Sequence, residues 1–141
     1  MPLKNYTTKI PAVQTVGEIQ GILAAHGARR VMMDYGADGK VEAVTFALET
    51  GAGLRGFTLR AQPEGAMHAL ERQNIKVSPE QAERVAWRNV KDWIDAQIAL
   101  IEAEQATMEE LFLPKMVGVG GATLYELYSG GQLAIGQEGG T

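Results

Sequence analysis

The hydrophobic pattern is most regular in residues 78–113, and this stretch predicts a long α-helix. Ser78, Pro79 and Gln81 mark its start, because a serine hydroxyl caps free N–H groups, proline fits the first helical position and glutamine completes a capping box. From residue 82 to residue 113 the chain contains neither glycine nor proline. Apolar positions recur there every three or four residues, which is typical of a helix with one buried face. They are Ala86, Val90, Trp93, Ile94, Ile98 and Ile101.

A second start signal lies inside this stretch. Thr107 and Glu110 repeat the capping-box pattern. Two alternatives stay open: one continuous helix, or a break near Ala106 followed by a shorter helix that ends before Pro114.

Residues 29–61 alternate between apolar and other side chains with the period of two that strands show. The alternation predicts strands over residues 29–35, 40–49 and 54–61, and the pair Asp38-Gly39 is a typical hairpin signal. Short turns make neighbouring strands antiparallel, so the three strands form a meander with one apolar face. That face is predicted to carry Val31, Met33, Tyr35, Val44, Phe46, Leu48, Phe57, Leu59 and Ala61.

Shorter elements surround this sheet. Residues 1–14 read as an extended arm, and Thr15 with Glu18 forms a capping box for a helix that ends at Gly27. A short helix is expected over residues 63–73, and Thr123 caps one last turn. The predicted fold class is therefore α+β: a three-stranded antiparallel meander packed against one long helix and shorter helices. Residues 1–129 form a single domain, and residues 130–141 are expected to be a flexible glycine-rich tail.

Composition narrows the classes of protein. The chain has 141 residues, no cysteine and a net charge of -4, so disulfides and thiolate metal sites are excluded. Residues 1–62 carry 7 basic and 5 acidic side chains, or +2, whereas residues 63–141 carry 6 and 12, or -6. No apolar run reaches the ~18 residues of a membrane span, and the N-terminus lacks the apolar region of a secretory signal. We expect a protein of a bacterial cytoplasm without a membrane partner.

Two groups of residues resemble a known set of proteins. One comprises residues 2–11 (PLKNYTTKIP) and 15–20 (TVGEIQ); the other comprises residues 84–93 (RVAWRNVKDW), 96–97, 100–104 and the stop at 112–114 (FLP). Together they resemble small uncharacterised proteins encoded in bacteriophages, prophages and other mobile elements. The resemblance covers most of the chain and implies a genomic setting, but it implies no activity and no catalytic residue.

No arrangement of residues predicts catalysis. His26 and His68 have no metal-ligand spacing, and the carboxylate pairs Asp92–Asp95 and Glu109–Glu110 read as solvated helix surface. The glycine-rich residues 117–121 lack the lysine of a phosphate-binding loop. The sequence therefore predicts a protein that is not an enzyme and that has no metal and no cofactor.

The second face of the sheet is the surface that looks available for binding. It combines small side chains with Arg30, Thr45, Thr58 and Arg60, and single-strand binders use such sheets. The alternative is that Tyr35 and Phe57 are core residues and that the arginines are ordinary surface residues. The predicted site for single-stranded DNA or RNA contains Arg30, Arg55, Thr58 and Arg60, with Lys4, Tyr6 and Lys9 from the arm.

Self-association is a further expectation. A helix of about 28 residues would be longer than the sheet beneath it, so its far end would need cover from a second subunit. The alternative is cover by the terminal helices of the same chain. The predicted interface of a homo-oligomer contains Ile98, Ile101, Met108 and Phe112.

These expectations combine into two functional hypotheses. The first is a non-catalytic accessory protein of a phage-like element that binds single-stranded nucleic acid through the open sheet face. The second is a sequestering or inhibitory protein that acts on a host defence protein or a nucleotide signal, because an acidic helical surface mimics the charge of nucleic acid.

Overall fold

The structure is a computed structural model that describes residues 1–138. It has the predicted α+β class: one antiparallel sheet with helices before and after it. The elements in chain order are α1 (Ala12–Ala25), β1 (Arg30–Tyr35), β2 (Val41–Thr50), β3 (Gly53–Arg60), α2 (Pro63–Arg72), α3 (Pro79–Glu102), α4 (Met108–Phe112), the 3-10 turns Leu113–Lys115 and Val119–Gly121, and α5 (Leu124–Ser129).

The sheet follows the predicted meander in the order β1-β2-β3, with each strand boundary within one residue of its expected place. Val44 of β2 is opposite Met33 of β1 and Leu59 of β3, so large apolar side chains share one face. The register shifts between Asp34 and Tyr35, which leaves one extra residue in β2 as a β-bulge.

The apolar face of the sheet packs on α1, α3 and α4. Phe46 and Phe57 stack with ring centroids 5.1 Å apart, and each buried large apolar side chain contributes about 1.5–3 kcal/mol. Both strands and helices supply this core. Its fully buried members include Val44, Phe46, Phe57, Leu59, Val16, Ile19, Leu23, Trp87, Ile94 and Phe112.

Helix α3 begins as expected, since the Ser78 hydroxyl accepts a hydrogen bond from the Gln81 N–H at 3.1 Å. Its buried face is rotated from the predicted one. Trp87 is 1% exposed, whereas Trp93 is 38% exposed and packs at the edge of the core against Phe112. The assignment of Trp93 to the buried stripe was therefore wrong, because the stripe continues through Trp87 instead.

The long stretch breaks, which decides between the two alternatives. Helix α3 ends at Glu102, Glu104 takes a positive φ of 59°, and Thr107 and Glu110 form a reciprocal capping box that starts α4. Because the chain turns there, α4 folds back onto the sheet and Phe112 becomes fully buried.

This turn also corrects the predicted oligomer interface. Ile98 and Phe112 are buried in the core of the same chain, and Ile101 and Met108 are partly buried against that core. The four residues therefore do not form an exposed apolar strip. The alternative, cover from the same chain, holds at these positions.

Helix α1 begins at Ala12, one turn before the predicted start. Thr15 is fully buried inside it, and its hydroxyl accepts a hydrogen bond from Arg88 Nη1 at 3.4 Å. The predicted capping box at Thr15 was wrong because that hydroxyl serves a contact with α3. The helix ends as expected at Gly27, which has a φ of +101°.

The segment after α4 returns to the sheet. Met116 forms a bridge with Phe57, and the Val117 N–H donates to the Gly56 carbonyl at 2.8 Å, so the outer side of β3 is partly paired. Thr123 caps α5 as expected. Residues 130–138 are exposed and contain neither helix nor strand, whereas residues 139–141 of the expected tail lie outside the described part. No helix in residues 1–138 is long and apolar enough to cross a membrane.

Candidate functional site

The face of the sheet that points away from the core is called the open face here. The strand register fixes its side chains in rows across the three strands, with small residues in the middle and long ones at the margins. From one end to the other the rows are Glu49–Leu54, Arg30–Ala47–Gly56, Met32–Thr45–Thr58 and Asp34–Ala43–Arg60.

The open face is a shallow trough. Ala43 and Ala47 on the central strand are buried, whereas Met32 is 48% exposed and Leu54 is 42% exposed. Because the floor is made of alanine, threonine and glycine, a partner can approach the backbone closely there. A cavity of about 250 Å³ lies at one end and is lined by Arg30, Met32, Thr45, Phe46, Ala47, Leu54, Arg55 and Gly56.

Arg55 reaches the trough by an indirect route. It is opposite Leu48 in the register, which places its Cβ on the side of the core. Its guanidinium bends back, so that Nη1 donates to the Leu54 carbonyl at 3.1 Å and the side chain lines the same cavity as Arg30. The structure thus places Arg30, Thr58 and Arg60 on the open face and brings Arg55 to the cavity that Arg30 lines.

The other three predicted residues lie elsewhere. Lys4, Tyr6 and Lys9 belong to the arm, which runs along α3 on the helical side of the sheet. The Gln81 side-chain amide donates to the Tyr6 carbonyl at 3.0 Å, and Lys4 Nζ lies 3.2 Å from Asp92 Oδ2. These contacts attach the arm to α3, away from the open face.

Asp92 is the main acceptor for the arm. Asn5 Nδ2 donates to its Oδ2 at 2.7 Å, and Asn5 holds a positive φ of 67° to do so. Partial burial raises the pKa of Asp92, but the hydrogen bond from Asn5 and the charge of Lys4 outweigh that effect, so the pKa lies below its ordinary value. The sequence showed no signal for this link, because the contacting residues are more than 80 positions apart.

Charges of both signs alternate on the open face. Asp34 accepts a hydrogen bond from the Thr45 hydroxyl at 2.7 Å, and Glu49 is exposed beside Leu54. At the other end, the N–H and hydroxyl of Thr123 lower the pKa of Glu126, and the nearby charge of Arg60 adds to this. The arginines therefore have carboxylates close by, and the face is not strongly basic.

Aromatic side chains are directed away from the open face. Phe46 and Phe57 are in the core, as the alternative in the sequence analysis stated for Phe57. Tyr35 is exposed, but its hydroxyl lies 3.6 Å from the Met33 sulfur, on the side of the sheet that faces the helices. Within residues 1–138 the rows of the open face contain no aromatic residue.

A larger cleft of about 590 Å³ lies where the β1–β2 turn, the end of β3, α2 and the start of α3 meet. Its buried floor includes Trp87 and Ala82, and Lys40 lies 3.8 Å from Glu83 on its wall. No group of three potential metal ligands was found in the described part of the chain. The remaining ionisable side chains of its lining are Asp38, Glu42, Arg60, Glu64, His68 and Glu71.

No protein-family model, curated protein or solved structure was found to match the chain. The resemblance to proteins of phages and mobile elements therefore stays a prediction.

Proposed function

We propose that the protein is a non-catalytic binding protein whose open face receives an amphipathic helix from a partner protein. The observation that carries this proposal is the exposure of Met32 and Leu54 above a floor of small residues. Exposed apolar side chains around a smooth trough are typical of interaction sites. The proposal shares with the second hypothesis from the sequence only a protein as the target, because that hypothesis relied on the acidic helical surface and not on the sheet.

A helix is the element that fits this trough. Sheets bury their faces against helices in layered folds, and the other face of this sheet already does so. Strand β3 has 8 residues and is about 26 Å long, which a helix of roughly 17 residues would cover. Apolar side chains at positions i, i+3, i+4 and i+7 of the partner would contact Met32 and Leu54.

Charge gives the docked helix a direction. Arg55 lines the cavity next to Leu54, so an acidic residue of the partner would lie at that end. A guanidinium binds a carboxylate through two parallel hydrogen bonds, which adds geometric specificity. The preferred partner is thus an amphipathic helix with an acidic residue beside its apolar face.

Single-stranded nucleic acid, the first hypothesis from the sequence, is less well supported by the geometry. Bases are usually stacked on aromatic side chains, and the rows of the open face in residues 1–138 contain none. Asp34, which accepts a hydrogen bond from Thr45 on this face, would lie close to phosphates. The hypothesis still makes a clear prediction, so it is included in the test.

The test is a selection of displayed helical peptides on the wild-type protein, followed by titration of the selected peptides by fluorescence anisotropy. We expect the peptides to share an apolar face with an acidic residue. The variant Leu54→Asp should weaken their binding by about tenfold or more. The matched control is Val119→Asp, which places the same charge at a residue that is 90% exposed on a 3-10 turn, and it should bind like the wild type.

Two outcomes would overturn the proposal. One is that no selected peptide depends on Leu54, which would mean that the open face is not the docking surface. The other is that a labelled thymidine oligonucleotide binds the wild type tightly and binds Arg60→Glu weakly, with affinity that falls as salt rises. That result would assign the face to nucleic acid.

A further inference from the structure

The two edge strands of the sheet differ in how far their outer backbone groups are paired. The outer side of β3 is partly closed, because Met116 and Val117 pair with it. The outer side of β1 has no such cover: within residues 1–138 no bridge and no further backbone hydrogen bond reaches it. Strands at an edge expose N–H and C=O groups that can pair with another strand.

The hydrogen bonds of β3 show which groups point towards β1. The Gly56 carbonyl accepts from Val117 on the outer side of β3. Successive residues of a strand bond on opposite sides, so the backbone of Phe57 points to β2. Phe57 is opposite Phe46, so the backbone groups of Phe46 point to β3. The backbone N–H and C=O groups of the neighbouring residue, Thr45, therefore point to β1.

The same alternation then assigns the groups of β1. Thr45 is opposite Met32, so the backbone of Met32 points to β2. The N–H and C=O groups of Val31 and Met33 consequently point out of the sheet. These groups are the ones that an added strand would have to satisfy.

We propose that a second copy of this chain pairs with β1 in antiparallel orientation, with Met32 opposite Met32 of the second copy. The two sheets, each of three strands, would become one continuous sheet across a two-fold axis. In this register Val31 is opposite Met33 of the second copy. The outward N–H and C=O groups of both residues are then all bonded.

The side chains of β1 are self-complementary in that register alone. Arg30 lies opposite Asp34 of the second copy, and Asp34 lies opposite its Arg30, both on the open face. A shift that centres the pairing on Val31 would set Arg30 against Met32, and centring on Met33 would set Met32 against Asp34. Opposite charges directly across a strand pair are favourable, so charge selects the register centred on Met32.

The strand also lacks two residue types that commonly protect an edge. Residues 30–35 contain neither proline nor lysine, which many proteins place at edges to prevent pairing. Met32 and Tyr35 are exposed on opposite faces of the strand, and pairing would cover one side of each while Met32 stays on the open face. This surface is separate from Leu54 and Val119, which the variants of the docking test alter.

The first arm of the test measures mass by light scattering coupled to size exclusion at micromolar protein. We expect about twice the monomer mass of 15.2 kDa. Arg30→Asp places like charges opposite each other and should raise the dissociation constant by about tenfold. The double variant Arg30→Asp/Asp34→Arg exchanges the charges and should restore the dimer. Arg60→Asp, on β3, is the matched control and should not change the mass.

The second arm tests the register directly. The chain has no cysteine, so Met32→Cys introduces a single thiol. Residues opposite each other in a non-hydrogen-bonded pair have Cα atoms about 4.5 Å apart, which is within the range of a disulfide. Mild oxidation by oxidised glutathione should give a covalent dimer of Met32→Cys and none of Leu54→Cys, which is also on the open face but distant from the edge.

The proposal is overturned if the wild type is a monomer throughout the micromolar range. It is also overturned if the wild type is a dimer whose dissociation constant, measured on dilution, Arg30→Asp leaves unchanged, or if Leu54→Cys forms the covalent dimer as readily as Met32→Cys. Leu54→Asp separates the two proposals, because it should weaken peptide binding by about tenfold or more and leave the dimer unchanged.

Discussion

Phe112 lies edge-on against Phe46, with ring centroids 5.5 Å apart and ring planes at 88°. The two residues belong to α4 and to the central strand, so this contact attaches the C-terminal part of the chain to the sheet. Edge-to-face pairs contribute about 0.5–1.5 kcal/mol beyond the area that they bury. The contact exists because the chain turns after Glu102 instead of continuing as one long helix.

Replacing Phe112 by alanine should destabilise the protein by about 3–5 kcal/mol, because it leaves a cavity between α4 and the sheet. Trp93→Ala is the comparison, since Trp93 contacts the same ring but is 38% exposed. It should cost clearly less, about 1–2 kcal/mol. Urea unfolding followed by circular dichroism measures both values. Equal losses would mean that Phe112 is no better buried than Trp93.

Thr107→Ala should reduce stability by about 1 kcal/mol, because the Thr107 hydroxyl accepts a hydrogen bond from the Glu110 N–H at the start of α4. Thr107→Ser keeps the hydroxyl and should stay close to the wild type. Hydrogen exchange of the α4 amides gives a local readout, and we expect faster exchange in the alanine variant alone. Unchanged exchange would show that the cap does not stabilise α4.

The strands were predictable because their signal is local. Alternation in residues 29–61 and short turns specify both the antiparallel order and the apolar face, and the strand boundaries agreed within one residue. The starts of three helices were also predictable from local signals, at Ser78, Thr107 and Thr123. Each of these hydroxyls accepts a hydrogen bond from the N–H three residues ahead.

The predictions that failed concern residues whose positions depend on contacts between distant parts of the chain. Thr15 has the sequence of a cap, yet it is buried where α1 meets Arg88 of α3. Trp93 fits the apolar period, but the way α3 lies on the sheet buries Trp87 and leaves Trp93 38% exposed. Period alone defines a stripe on a helix and cannot define how the helix is rotated on its sheet.

The candidate site was predictable where it depends on local alternation and not where it depends on distant contacts. Alternation placed Arg30, Thr58 and Arg60 on one face, which the register agrees with. The arm could not be placed, because Lys4 and Tyr6 are positioned by contacts with Asp92 and Gln81. The free edge of β1 was equally hidden, since it depends on which edge the residues after α4 pair with.

Gly17 and Gly118 should respond in opposite directions to replacement by alanine. Gly17 lies within α1, and a Cβ there meets nothing within 4 Å, so Gly17→Ala should stabilise the helix by about 0.5–1 kcal/mol. A Cβ on Gly118 would lie 2.7 Å from Leu127 Cδ1 and 3.4 Å from the Ala122 carbonyl, so Gly118→Ala should destabilise. Melting temperatures measure both, and a shift of the same sign would contradict the prediction.

Stability should fall in acid partly through Asp92. The folded-state pKa of Asp92 lies below its ordinary value of 3.8, so ionised Asp92 stabilises the fold at pH values above 3.8. This contribution is lost as the pH falls through the folded-state pKa. Asp92→Asn should therefore be less stable than the wild type at neutral pH, and the difference should shrink in strong acid. Urea unfolding across that pH range measures the difference.

Two further variants show whether the arm causes the effect. Asn5→Ala removes the side-chain amide that donates to Asp92 Oδ2 at 2.7 Å, so the pKa of Asp92 should rise, as a carboxyl titration by NMR would record. Glu109→Gln removes an exposed carboxylate on α4 and should leave the pKa of Asp92 unchanged. If Asn5→Ala also left it unchanged, the arm would not be bound to α3 through Asp92, and the placement of Lys4 and Tyr6 away from the open face would lose its main support.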